Sequence, residues 1–217
     1  VVVDEKGRPV DVYQKVTAEA NWLIEEFMLL ANRMVAEFVA RECKGKTFVY
    51  RVHDEPNQEK LENLKNFISN FGYRLGPVGN GKEISKSLNT LFESAKDTPE
   101  FNAIELLSLR SMAKARYDTE NLGHYGLAFK YYTHFTSPIR RYPDVMVHRL
   151  LASYLNNEKS ANEEEYETAS SHSSSMEKRA ADAERASIKY KQAEYLEENI
   201  GNTFAGIISG VTEWGMY

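Results

Sequence analysis

The segment from His124 to His148, HYGLAFKYYTHFTSPIRRYPDVMVH, admits few folds. Its first half alternates aromatic and polar residues as a half-buried strand does, and predicts a short strand through Leu127–Phe135. Ser137 then has the profile of a helix N-cap. Pro138 has that of the first helical position, where a missing N–H is no loss. A helix is therefore expected from Pro138 to about Leu155. Arg140 and Arg141 would fall in its first turn, where the positive end of the helix dipole disfavours each cation by roughly a few tenths of a kcal/mol. Two arrangements make that tolerable. Either an anion sits at the helix mouth, facing free N–H groups and both guanidinium forks, or carboxylates elsewhere in the fold pair with the arginines.

Composition narrows the class. A chain of 217 residues is long enough to bury a substantial core. A net charge of −5 argues against generic nucleic-acid binding, so any nucleic-acid contact has to be focused locally. The single cysteine, Cys43, excludes an intrachain disulfide and fits a reducing cytoplasm. No apolar run approaches the ~20 residues that span a bilayer, and no signal peptide opens the chain. The chain begins without methionine and stops inside what reads as a strand, as part of a longer polypeptide would.

Residues 1–14 read as a hairpin, with apolar runs around the turn cluster Glu5–Pro9. A long helix follows from about Thr17 to Glu42, with Leu23, Phe27, Leu30, Met34 and Phe38 as its expected buried stripe. Phe48–Val52 is a strand. Helices are expected over 57–71, with Gly72 as C′ residue, and near 82–96 and 98–116, the first two separated by a Gly-rich loop at 76–81. The polar run Asn156–Glu165 is a solvated connection, and a charge-rich helix runs from about 165 to 198. After Gly201 the pattern turns to short β segments. The class is α+β and mainly helical, with residues 1–200 as one domain and 201–217 as the beginning of another.

The central stretch resembles the ribonuclease II and ribonuclease R family of processive 3′-to-5′ exoribonucleases. The resemblance rests on His124-Tyr125-Gly126-Leu127, Tyr132-Thr133, the run Phe135 to Tyr142, Asp144 and His148. It extends to Glu25–Asn32 and to Tyr50–Pro56, the latter being closest to ribonuclease R within the family. It implies that residues 1–200 are the C-terminal part of an RNB catalytic domain. Residues 201–217 would be the first strands of an OB-type RNA-binding barrel.

On that resemblance Arg140 falls on the family's catalytic arginine. A guanidinium keeps its proton and presents a planar fork that matches a phosphate. Arg141 is an auxiliary RNA contact, holding a backbone phosphate or a neighbouring carboxylate. Glu25 falls on a ribose-contacting glutamate, whose carboxylate can accept a hydrogen bond from a 2′-OH. Glu184 falls on a further active-site glutamate. For Asp144 and His148 the residues leave two readings open: a metal ligand or arginine orienter at Asp144, or an Arg–Asp–His ladder that stiffens the helix.

The implied activity is hydrolysis of single-stranded RNA to nucleoside 5′-monophosphates by two-metal-assisted attack of water, with Mg2+ in the intact enzyme. No two aspartates lie within six positions of each other, and the histidines and cysteine lack zinc-site spacing. No metal ligand is therefore assigned to this chain. The family's aspartate cluster would lie upstream, leaving the chain inactive by itself. The rival expectation is a noncatalytic RNA-binding or scaffold protein that retains a helix-mouth phosphate site.

Overall fold

The computed structural model describes residues 1–13, 16–79, 81–206 and 211–216. They form two compact units. The first comprises Val1–Val52, Arg116–Asn121 and Phe129–Ala205, and the second His53–Ala115, Leu122–Ala128 and Gly206–Tyr217.

The first unit opens with an antiparallel hairpin of β1 (Val2–Val3) and β2 (Pro9–Asp11). Its turn is built on Asp4, whose Oδ1 accepts from the amides of Lys6 (2.9 Å) and Arg8 (2.8 Å). Gly7 takes the left-handed φ of +78° that such a turn demands. The next element, α1, spans Glu19–Glu42. Strand β3 (Tyr50–Val52) pairs antiparallel with β4 (Arg116–Asp118), placing Arg51 opposite Tyr117. Helices α5 (Tyr142–Leu155) and α6 (Glu163–Glu197) complete the unit. Its core packs Ala36 and Val39 of α1 with Phe48, Val49, Tyr117, Met146, Val147 and Leu150.

Three expectations fail in this unit, each for a physical reason. The stripe expected to bury α1 is the exposed one: Leu23, Phe27, Leu30, Met34 and Phe38 are 38–60% accessible. The helix is apolar on nearly every side, so periodicity finds an apolar face without saying which is covered. The small face, Asn32, Ala36 and Val39, lies inward because it allows close approach. The strand expected at 127–135 is instead a short 3-10 turn at Tyr125–Leu127 in the second unit, followed by an irregular extended segment in the first. That segment is tied to β3 by Arg51 N–H donating to Tyr132 O (2.9 Å) and to Val49 by the Thr133 hydroxyl (2.7 Å), short of a regular ladder.

The third failure concerns α5, which begins at Tyr142 rather than Pro138. The amides of Arg140 and Arg141 both donate to Ser137 O, closing a turn, and Arg141 is then extended (φ −125°, ψ 117°) as the N-cap residue. Pro143 is the cause. A helix running on from Pro138 would need its N–H four residues after Ile139, and proline has none. At the second position of a helix beginning with Tyr142 the deficit is harmless.

The polar connection after α5 is exposed as expected at every position but Ala161, and it is tied down at Thr47. Ser160 Oγ accepts from Thr47 N, and Ala161 O accepts from the Thr47 hydroxyl (both 2.9 Å). Helix α6 starts at Glu163, with Asn162 accepting from Glu164 N and three glutamates at its positive end. At 35 residues it is about 52 Å long, and only Ser170 is fully buried.

The second unit is a group of three helices, α2 (Gln58–Ser69), α3 (Gly81–Ala95) and α4 (Phe101–Ser111). They close over Leu61, Leu64, Ile68, Ile84, Leu88, Leu91 and Ile104. Asn57 caps α2 by accepting from Lys60 N (3.1 Å). Asn70 is the C-cap of α2, so Gly72 stands one residue beyond its expected C′ place, with φ +83°. His53 ties this unit's loops together: Nδ1 accepts from Gly126 N (3.0 Å) and Nε2 bonds Ala113 O (2.9 Å). Strands β5 (Val211–Thr212) and β6 (Gly215–Met216) form a small hairpin. The expected start of an OB-type barrel falls partly on residues 207–210 and 217, outside the described residues.

Candidate functional site

The site lies in the first unit, on the loop 135–141 between the extended segment and α5. Asp144, in the first turn of α5, reaches back over this loop. Its Oδ1 accepts from Ser137 N (2.7 Å) and from Arg141 Nη2 (2.9 Å), while Oδ2 accepts from Arg141 Nε (2.9 Å). Asp144 is fully buried, so its charge depends on those three donors. Just upstream, Asn32 Oδ1 accepts from both Phe135 N (2.9 Å) and Thr136 N (3.2 Å). His148 lies one turn beyond Asp144 on α5. Its ring stacks on that of Phe135 at 3.9 Å and its Nε2 donates to Phe135 O at 2.9 Å. The amides of Phe135, Thr136, Ser137, Arg140 and Arg141 are thus all engaged, Pro138 having none.

The two arginines are treated differently. The carboxylate-pairing reading holds for Arg141, and because the helix begins at Tyr142 neither arginine lies in its first turn. Arg141 is the carboxylate partner: its guanidinium is mostly buried and two of its nitrogens face Asp144. Arg140 is exposed, and its guanidinium has no partner among the described residues. Asp144 therefore orients an arginine, though not Arg140, and His148 holds the loop backbone rather than extending an Arg–Asp–His ladder.

Glu25 and Glu184 are exposed and unpaired among the described residues, so no hydrogen bond or ion pair joins either to the arginine loop. Helical geometry gives each a defined direction. Seven residues bring a helix back to the same face about 10 Å further on. Glu25 thus continues, two turns earlier, the face on which Asn32 meets the loop. Glu184 lies two turns beyond Glu177, which grips Arg51 in a two-point ion pair (2.6 and 3.1 Å). It also lies two turns before Lys191, which bonds Gly7 O (2.6 Å). Glu26, not Glu25, edges an apolar groove of about 310 Å3 floored by Leu23, Phe27, Leu30 and Phe129, with Arg33 opposite.

Sequence reasoning missed a polar chain behind the loop. Arg51 lies over the Tyr117 ring at 4.5 Å, and the Tyr117 hydroxyl bonds His134 Nδ1 at 2.8 Å. Burial pushes the Tyr117 hydroxyl up to about 12, an effect opposed by Arg51 and reinforced by Glu177. The hydroxyl therefore stays protonated when it meets His134. Asn32 was legible in principle, as a lone amide on the inward face of an apolar helix. Tyr117 and His134 carried no such signal.

Among the described residues no group of three or more His, Cys, Asp or Glu is arranged to hold an ion. The one buried carboxylate of the site already faces three N–H donors, and no step is assigned to a metal here. No helix among the described residues is long and apolar enough to cross a membrane.

The loop held by Asn32, Asp144 and His148, presenting one free guanidinium beside a neutralised one, lies within an RNB domain. That domain matches residues 1–157, and the chain belongs to this family. Among its relatives, ribonuclease R of Aquifex aeolicus is 41% identical over 221 residues, covering 100% of this chain and 31% of that protein. Ribonuclease R 1 of Lactococcus lactis subsp. lactis is 40% identical over 222 residues, covering 100% of this chain and 27% of that protein. Among solved structures, Mycoplasma genitalium RNase R in complex with ribose methylated single-stranded RNA superposes with a TM-score of 0.86 at 31% identity. That alignment covers 100% of this chain and 34% of the other. The chain thus spans about a third or less of the length of these relatives.

Proposed function

We propose that this chain is the C-terminal part of the catalytic domain of a cytoplasmic 3′-to-5′ exoribonuclease that hydrolyses single-stranded RNA processively to nucleoside 5′-monophosphates. The observation that carries the reading is Arg140: an unpaired, permanently charged fork on a loop whose backbone cannot easily move. In phosphodiester hydrolysis, negative charge grows on the oxygens around phosphorus. A cation fixed in advance stabilises that charge without the cost of reorganisation. Asp144 cancels the charge of Arg141 and holds its Nε and Nη2, leaving Nη1 for a backbone phosphate of the RNA. Glu25 is assigned to the ribose 2′-OH and Glu184 to the active-site edge. Residues 201–217 are assigned to the start of an OB-type barrel.

Mg2+ belongs to this proposal as the intact enzyme's ion, which would supply an activated water and charge neutralisation. No step is routed through it, because the described carboxylates do not converge on one place. The test uses the full-length protein and a labelled RNA with a single-stranded 3′ end. Release of 5′-mononucleotides that stops on chelation supports the reading. RNA binding with no products would instead favour a noncatalytic binding or scaffold protein.

A further inference from the structure

We infer that Asn32 is a positioning residue for Arg140, acting through the backbone of the loop; the inference rests on the function proposed above. Asn32 is 3% exposed in the middle of α1, where a buried amide needs hydrogen-bond partners, and it makes three hydrogen bonds. Oδ1 accepts from two consecutive loop amides, Phe135 and Thr136, and Nδ2 donates to the Tyr132 hydroxyl at 3.1 Å. One side chain thus grips the chain at 132, 135 and 136, while Asp144 grips Ser137. Ser137 O in turn receives the amides of Arg140 and Arg141.

These contacts divide the work. Asp144 is bonded directly to the loop's end and to Arg141. Asn32 holds the segment on which that end is mounted, and it comes from a helix far away in sequence. Without Asn32, two adjacent half-buried amides lose their acceptor, and the chain entering Ser137 gains freedom. Arg140, which has no side-chain partner of its own, would sample more positions. A guanidinium that is present but misplaced still attracts RNA through its charge, yet stabilises the transition state poorly. The signature is a loss in kcat at nearly constant RNA affinity.

The experiment is a double-mutant cycle in the full-length enzyme, measured as single-turnover degradation of labelled single-stranded RNA. RNA affinity and thermal melting are followed in parallel. Asn32→Ala is expected to lower kcat by about tenfold to a hundredfold, with Kd within about threefold. Arg140→Ala should be damaging in the native background and at least about tenfold less damaging in the Asn32→Ala background, because the two residues act as one unit. Asn32→Asp keeps the acceptor for both amides, and the Tyr132 hydroxyl can turn to donate to it. This variant should recover most of kcat. If Asn32→Ala does not fold, Asn32→Ser carries the same cycle with a side chain too short to span both amides. Additive effects of the Asn32 and Arg140 substitutions would overturn the inference while leaving the proposed function standing. A harmless Arg140→Ala in the native background would overturn both.

Discussion

Arg141 and Asp144 meet through two parallel hydrogen bonds of 2.9 Å, Nε to Oδ2 and Nη2 to Oδ1, with the carboxylate fully buried. The pair settles which of two adjacent arginines is available to a ligand. A carboxylate three residues after Arg141, in the first turn of a helix that begins at Tyr142, is within reach of Arg141 and of Ser137 N at once. Arg140 is left facing outward.

The pair also anchors the fold. Asp144→Ala would leave the Arg141 guanidinium largely buried without its counter-charge and Ser137 N without an acceptor. Removing one partner of such a pair typically costs about 3–5 kcal/mol. Chemical denaturation of the variant should show a loss in this range, and a loss below about 1 kcal/mol would mean that water replaces the carboxylate.

For Arg140, lysine should be nearly as damaging as alanine. Lysine keeps the charge but not the planar two-point fork. In the full-length enzyme both variants should lower kcat by roughly a hundredfold or more with little change in RNA affinity. Substantial activity in Arg140→Lys would reduce Arg140 to a general electrostatic contact.

Glu25 and Glu26 offer an internal comparison, being adjacent on α1 but facing different ways. Glu25→Ala should bring the rates on matched RNA and DNA oligonucleotides closer together by about tenfold, the value of one charge-assisted hydrogen bond to a 2′-OH. Glu26→Ala should leave the ratio near its native value. Equal effects at both positions would remove Glu25 as the ribose reader.

Tyr117 and Tyr50 give the unit a base-sensitive limit. Burial raises both hydroxyls from the ordinary 10.0 to about 12. Because the folded state holds these protons more tightly than the unfolded chain, their contribution to stability is complete below about pH 10. It is lost progressively as the pH climbs to about 12. Denaturant midpoints should fall through this window, and Tyr117→Phe should fall less steeply than the native protein. Identical slopes for the two would show that other groups control the transition.

The 217-residue chain alone should release no mononucleotides from labelled RNA in the presence of Mg2+. Among the described residues no carboxylates cluster to hold an ion, and a two-metal site, with its ions about 4 Å apart, needs several carboxylates converging on one place. Product formation by a clean preparation of this chain would place a metal site among residues that now lack one.

The sequence by itself determined the order and type of the long elements and the family. Helices α1 to α3 and α6 lie within a few residues of their expected bounds, while α4 stops at Ser111, short of the expected 116, which lies in β4. Such information is local, carried by spacing and by the chemistry of neighbouring residues. Tertiary structure alone decided which face of α1 is covered, because Leu23–Phe38 and Asn32–Val39 are both apolar enough to bury. It also decided that the segment before Ser137 is an anchored, irregular strap rather than a strand, since its hydrogen-bonding partners lie at Val49, Arg51 and Asn32. The start of α5 was readable from Pro143, but the separate fates of Arg140 and Arg141 were not. They depend on where a buried carboxylate points once the helix is folded, and an isolated charge pattern holds no record of that direction.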